Sequence, residues 1–412
     1  MGFFDHCDLD QRFKSSTFGA FPHHRYYRVV EDWDQRRTIT VFTSKNEDED
    51  FVFKALNRLI DGPGVAPDAI SIKLSDDGKL LSQSHDIFND HTSIPFYPSV
   101  TDFPRQLPKI RRFDLTEIDR LGIQVDLVTY EPQPGQPKRV AFKYYINKRN
   151  ISRFWTEINC VIRIPKHPNI VSFDRLVIDT VGDEEKVVGF TTAFVPGGTV
   201  DDNEDRLFKL KYLKQLTEAI DYLNLNLKLG VVHGDLCSHN LLISKRTGQL
   251  GGGGGDDGDD SDPEHRDDCD VRYYAVFALY DIITRDNFRA RFDGRYYLSE
   301  LDPAEVLDNM QTWEKHPRVR LDSDVAEYRR VLETSPAPSP SAARHCPEIP
   351  PVDYNGNMVS RPSLLRQVLV PQGDPFLRWE RPPSRHLPLR QGQRLLATGE
   401  VVGLQRGERR RG

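Results

Sequence analysis

Between two apolar runs lies the segment Val231-Val232-His233-Gly234-Asp235-Leu236-Cys237-Ser238-His239-Asn240-Leu241-Leu242-Ile243. A carboxylate and a carboxamide, Asp235 and Asn240, stand five residues apart inside it. The flanking aliphatic runs would anchor in a core and aim the polar residues into a cleft. The chemistry open to such a pair includes phosphoryl transfer, in which a carboxylate can meet the attacking hydroxyl and an amide oxygen can help hold a Mg²⁺ on the phosphates. Any turn between apolar stretches can be rich in His, Asp and Asn, so the surrounding elements must decide.

Those elements are two helices and a group of strands. The run 206–229 carries Leu213, Leu216, Ile220, Leu223 and Leu227 on one stripe at helical spacing and leads into the segment. A second buried helix is expected at about Val271 to Thr284. Upstream, Val140-Ala141-Phe142-Lys143-Tyr144-Tyr145 reads as a strand with Lys143 inside it. Ile151 to Ile164 places Ile151, Phe154, Trp155, Ile158, Val161 and Ile162 on a broad apolar face, and Pro165 stops it. Glu157, fourteen positions after Lys143, shares a face with Phe154 and Val161 and so can point inward. His167-Pro168-Asn169-Ile170-Val171 follows, then strands around Phe173 to Asp179 and Val187 to Val195, closed by the turn Pro196-Gly197-Gly198. Taken singly, Lys143 reads as a strand-edge lysine and Glu157 as a solvated helix residue. Taken together, with H-P-N-I-V ten residues on, they point to a working pair.

In this order the elements resemble the protein kinase superfamily, in particular a group of divergent kinase-like proteins from filamentous fungi. The resemblance covers roughly residues 113–290. V-A-F-K at Val140 to Lys143 is similar to the family's V-A-I-K, and H-x-D-L-x-x-x-N at His233 to Asn240 to its catalytic loop. The resemblance implies Asp235 as the catalytic base and Asn240 as a Mg²⁺ ligand. It implies Lys143 and Glu157 as the pair that positions the α- and β-phosphates of ATP. Gly189 to Gly198 would be the hinge between lobes, with Ala193 to Val195 offering backbone groups to adenine and Thr192 as gatekeeper. The fold it implies is α+β and two-lobed: a small β-rich N-lobe and a helical C-lobe, with a truncated activation segment and irregular tails. ATP and Mg²⁺ are the implied cofactors, and the implied partner is an unidentified protein, substrate or binding partner.

The chain also departs from that family. Of the glycine-rich loop G-x-G-x-x-G-x-V, the stretch Leu121 to Leu127 keeps only Gly122. Gln124 and Leu127 stand at the second and third glycine places, where side chains hinder approach of the backbone to phosphate. Asp126 adds a charge expected to repel phosphate. Gly234 replaces an Arg that receives an activation-loop phosphate. Cys237 replaces a Lys that neutralises the transferring group, and His239 nearby is mostly neutral at pH 7. A missing cation there costs several kcal/mol of transition-state stabilisation. No D-F-G follows Asn240, and no A-P-E; only about thirty residues separate Asn240 from the helix near Asp270. Near the D-F-G place runs Gly251-Gly252-Gly253-Gly254-Gly255-Asp256-Asp257-Gly258-Asp259-Asp260. Asp256 and Asp257 are candidate Mg²⁺ ligands, although such a tract reads first as a solvated loop or as translated intron sequence.

Three functions stay open: an ATP-dependent Ser/Thr phosphotransferase of impaired activity, a pseudokinase scaffold, and a small-molecule phosphotransferase. Aminoglycoside-type kinases share H-G-D-x-x-x-x-N, but V-A-F-K, H-P-N-I-V and P-G-G favour the protein-kinase branch. The 412 residues are 38% hydrophobic with 28 prolines and 28 glycines, which implies a core diluted by irregular segments. A net charge of −6 argues against a nucleic-acid partner, and the basic tip at Arg406 and Arg409 to Arg411 reads as a solvated end. Five scattered cysteines without C-x-x-C exclude a cysteine zinc site and fit a reducing compartment. No apolar run nears the roughly 18 residues of a membrane span. No secretory leader is evident, and His6 breaks a myristoylation signal. The expectation is an intracellular protein, cytoplasmic or nuclear, with no membrane partner. Residues 1–105 read as an extension of no assigned chemistry, with a strand at Thr38 to Thr43 and a helix at Glu49 to Asp61. Ile94 to Pro108, with four prolines, reads as a linker. Residues 113–290 form the kinase-like domain (lobes 113–195 and 199–290), and 291–333 a helical remnant. Residues 334–412 form a Pro/Arg-rich, mostly disordered tail with a docking segment near Pro375 to Trp379.

Overall fold

A computed structural model describes residues 3–5, 7–21, 25–62, 64–146, 151–200, 207–223, 238–244, 250–252, 272–285, 312–334, 365–384 and 393–403. The chain is mixed α+β and divides into two compact units. One comprises Met1–Ile158, Phe173–Phe194 and Val352–Gly412, the other Asn159–Ser172 and Val195–Pro351.

Among the described residues the first unit holds two large sheets and a small two-stranded pair, Gln393–Leu395 with Val401–Gly403. Strands β1 (Phe13–Phe21), β2 (Arg25–Asp32), β3 (Arg37–Thr43), β4 (Ser71–Leu74) and β5 (Leu80–Ser84) lie in sequence order, following the short helix α1 (Leu9–Arg12). Helix α2 (Glu49–Asp61) crosses between the parallel strands β3 and β4. Asp48 caps its N-terminus by accepting from the Phe51 amide at 2.7 Å. Val52, Phe53, Ala55 and Leu56 pack on Phe13, Val30, Ile39, Val41, Ile72 and Leu74. The second sheet runs in the order β6-β10-β11-β9-β8-β7. Its strands are β6 (Lys109–Arg111), β7 (Thr116–Gly122), β8 (Val125–Gln133), β9 (Gln136–Tyr144), β10 (Phe173–Val181) and β11 (Glu184–Ala193). Helix α3 (Ile151–Val161) lies between β9 and β10 in sequence. It ends three residues sooner than the apolar pattern suggests, where the amides of Arg163 and Ile164 turn back to the Cys160 carbonyl.

One sequence reading fails here. Ile94 to Pro108 is no linker. Ile94, Tyr97 and Phe103 are buried, and the Val187 amide of β11 donates to the Pro98 carbonyl at 3.0 Å. Within 334–412, expected as a mostly disordered tail, Leu365–Ser384 and Gln393–Gly403 are the described residues, and they carry buried side chains. The described tail residues hold the helix Arg366–Gln372 and strands β16 (Gln393–Leu395) and β17 (Val401–Gly403). Ala397 donates to the Leu115 carbonyl beside β7. Pro375 to Trp379 does dock, and its receptor is this same unit: Leu377 and Trp379 join the core of Val128, Tyr130, Val140, Phe142, Tyr144 and Val188.

The second unit is built on helices. α4 (Leu210–Asp221) buries Tyr212, Leu213, Leu216 and Ile220 against α5 (Arg272–Thr284) and α6 (Val325–Thr334). The expected helical start at 206 gives way to β12 (Leu207–Phe208), which pairs with β15 (Arg320–Leu321). Asp322 then accepts the Leu210 amide at 2.7 Å, a cap supplied from far along the chain. Leu223 is buried as the stripe requires, while Leu227 lies outside the described residues. The stretch expected as a helical remnant contains β15 and α6. Among the described residues no helix is long and apolar enough to cross a membrane.

Candidate functional site

Lys143 lies near the end of β9, opposite Val125 of β8 and Phe190 of β11. Side chains alternate across a strand, so Lys143 shares a face with Ala141 and Tyr145, opposite to that of Phe142 and Tyr144. On that face Phe154 of α3 is fully buried against the rings of Tyr145 (4.1 Å between centroids) and Phe190 (5.9 Å). Ile158 is buried on the same helix. Glu157 lies between these two anchors in sequence, and its Oε1 meets Lys143 Nζ at 2.7 Å. The side chains retain only 11% and 19% exposure, so the pair is shielded from most of the solvent that weakens surface ion pairs. The structure thus brings together the two residues that the sequence placed fourteen apart.

The tip of the β7–β8 hairpin faces the same strand. Gly122 pairs with Val125, leaving Ile123 and Gln124 as a tight turn. Gln124, at the second glycine place, has φ = 59°, a left-handed conformation that glycine adopts at less cost. Its carbonyl accepts the Tyr144 amide at 3.1 Å, which closes the turn onto the end of β9. A Cβ at Gly122 would meet nothing within 4 Å, so that glycine keeps a surface open rather than relieving a clash. Leu127 is buried opposite Ala141, on the face of Lys143.

Asp126 does not act as expected. It projects from the other face of the sheet, where its carboxylate accepts from Arg381 Nη1 at 2.6 Å and lies 3.6 Å from Arg36. Arg381 also donates to Glu117 at 2.9 Å and to the carbonyls of Asp34 (2.8 Å) and Trp33 (3.2 Å). Arg120 bridges Glu117 and Asp34. Three arginines and three carboxylates are therefore paired inside the first unit. Burial pushes the Asp126 carboxyl up against the opposition of Arg381. Burial would also raise Glu117, but Arg381, Arg120 and Arg36 outweigh it and hold that carboxyl down at about 2. Neutralised on the far face, Asp126 cannot repel an anion held at Lys143.

Thr192 and Ala193 end β11 opposite Ala141 and Val140. The boundary between the two units falls between Phe194 and Val195, inside the run expected as a hinge. In the second unit the chain just beyond it is tied to the chain after Asn240. The Val200 amide donates to the Leu241 carbonyl at 2.8 Å, and the Ile243 amide to the Gly198 carbonyl at 3.1 Å. Asn240 is buried, and the hairpin of β13 (Leu241–Ile243) with β14 (Leu250–Gly252) leads from it to the glycine tract. His167 stacks on Tyr222 (4.4 Å), and Asn169 donates to Glu218 of α4 at 3.1 Å, so H-P-N-I-V is an anchor to that helix. Asp235, Asp256 and Asp257 lie outside the described residues. No cluster of three or more His, Cys, Asp or Glu able to hold a metal occurs among the described residues.

Three supports escaped the sequence reading. Gly189 faces β9 so closely that a Cβ would enter the shell of the Lys143 carbonyl oxygen. Arg381 closes the buried network. Tyr97 donates its hydroxyl to the Tyr145 carbonyl. Only the tail carried a visible signal, since Leu377-x-Trp379-x-Arg381 alternates like a strand with one face buried.

The chain matches no model of a known protein family and no curated protein sequence.

Proposed function

We propose that this chain is a degenerate member of the protein kinase superfamily, two-lobed in fold, that holds ATP weakly through Lys143 and transfers its γ-phosphoryl group poorly to a Ser/Thr hydroxyl. The observation that supports this most is the Lys143–Glu157 contact. It joins the third strand of the β7-β8-β9 meander to the helix that follows, the placement of the phosphate-positioning pair in that family. Asp235 would accept the hydroxyl proton, and backbone groups of Ala193 to Val195 would meet adenine beside Thr192. Mg²⁺ would be held by the amide oxygen of Asn240 together with a carboxylate of Asp256 or Asp257, since a hard cation asks for oxygen donors and carboxylates above all; of these three, Asn240 alone lies among the described residues.

A second reading, a pseudokinase scaffold, is favoured by the glycines that follow β14, close to where a metal-binding carboxylate would stand. A thermal-shift titration tests nucleotide binding, which the first reading requires and the scaffold, with weak or no binding, does not. With a dissociation constant near 1 mM, about 10 mM ATP stabilises by about 1.4 kcal/mol and raises Tm by roughly 3–6 °C. The shift should vanish in Lys143→Met. No shift at millimolar ATP in the native chain would sink nucleotide binding. Phosphoryl transfer that survives Asp235→Asn would refute the assignment of the base. Binding without transfer in the native chain selects the scaffold.

A further inference from the structure

A chain of contacts links the C-terminal segment to the strand that carries Lys143 and the helix that carries Glu157. Trp379 is buried on the sheet face opposite Lys143, its ring stacked on Tyr144 (5.0 Å between centroids, 20° between planes). Its Nε1 donates to the Tyr97 hydroxyl at 2.9 Å. The Tyr97 hydroxyl donates in turn to the backbone carbonyl of Tyr145. Tyr145 follows the last residue of β9, so its carbonyl has left the strand ladder and takes this side-chain donor. The Tyr145 ring packs on Phe154, one helical turn before Glu157. One residue therefore links the elements that carry the pair: its backbone continues the strand of Lys143, and its ring packs on the helix of Glu157.

We propose that Trp379 and Tyr97 are positioning residues for Lys143, so that the docked C-terminal segment sets the Lys143–Glu157 geometry. The consequence for nucleotide rests on the function proposed above; the geometry itself does not. Lysine labelling by reductive methylation, read by mass spectrometry without nucleotide, tests it. Lys138 supplies the internal control: it lies on the same strand, paired with Asp174, and outside this chain of contacts. Tyr97→Phe removes the hydroxyl and keeps the ring; Trp379→Phe removes the indole donor and keeps an aromatic stack. Each should raise the labelling rate of Lys143 about fivefold relative to Lys138, equivalent to about 1 kcal/mol. Equal acceleration at both lysines would show general loosening of the sheet and overturn the proposal. No change at Lys143 in two folded variants would overturn it as well. If either variant fails to fold, the other decides. ATP titrated onto the same variants separates the readings: selective labelling without any ATP shift in the native chain keeps the positioning and discards the nucleotide.

Discussion

Replacing Arg381 by Met keeps the length and apolar stem of the side chain and deletes its guanidinium. The guanidinium is fully buried and makes four hydrogen bonds of 2.6–3.2 Å, to Asp126, Glu117 and the carbonyls of Asp34 and Trp33. Its loss leaves Asp34, Glu117 and Asp126 facing only Arg36 and Arg120, an uncompensated negative charge without water to solvate it. Removing one partner of a buried ion pair costs about 3–5 kcal/mol. The two orphaned carbonyls add about 1–3 kcal/mol each, less than additively because all share one site. Arg36, at 3.6 Å from Asp126, can swing inward and recover a part. The expected loss is about 4–6 kcal/mol, comparable with the whole stability of many domains. Urea unfolding followed by tryptophan fluorescence reads it directly, since Trp33 and Trp379 both flank the network. The double variant Arg381→Met/Asp126→Asn restores charge balance and should be more stable than Arg381→Met alone by about 1 kcal/mol or more. A loss below about 1 kcal/mol for Arg381→Met, or a double variant weaker than the single, would refute the view that this network holds the tail to the sheet.

Two further outcomes follow from single residues. Glu117 has its carboxyl depressed from the usual 4.5 to about 2, so its contribution is complete above pH 4.5 and lost as the pH falls towards 2. That contribution is about 3 kcal/mol; Glu117→Gln should lower stability at neutral pH and flatten the acid limb in that window, and an unchanged slope in acid urea titrations would remove Glu117 from the account. Gln124→Gly should stabilise by about 0.5–1 kcal/mol, because the residue holds a left-handed φ of 59° and buries an Nε2 that lacks a hydrogen-bond partner. A destabilised Gln124→Gly in the same denaturant assay would show that the side chain's packing outweighs that strain.

Local pattern made much of this protein legible. Helix α2 spans the expected Glu49–Asp61 although its apolar residues are only partly in helical period, and α5 begins one residue from the expected start, because helical spacing acts within a few residues. The Lys143–Glu157 pair was readable for a similar reason. A strand followed by a helix with one apolar face must fold that helix back onto the sheet, and Glu157 sits between its buried anchors. The chain from 94 to 108 misled because prolines mark irregular backbone without saying whether it is covered. Asp126 misled because strand alternation, plain in the sequence, leaves open which face looks toward the site.

By itself, then, the sequence determined the periodic elements, the lysine and glutamate that meet, and a turn that carries Gly122 alone. The tertiary structure decided that Asp126 is neutralised on the far face, that Arg381 and Trp379 come back about 240 residues later to complete the lysine's sheet, and that Tyr97 ties them to Tyr145. Local alternation marks Leu377, Trp379 and Arg381 for burial but not their partners, which are fixed by the need of buried groups from distant segments to pair.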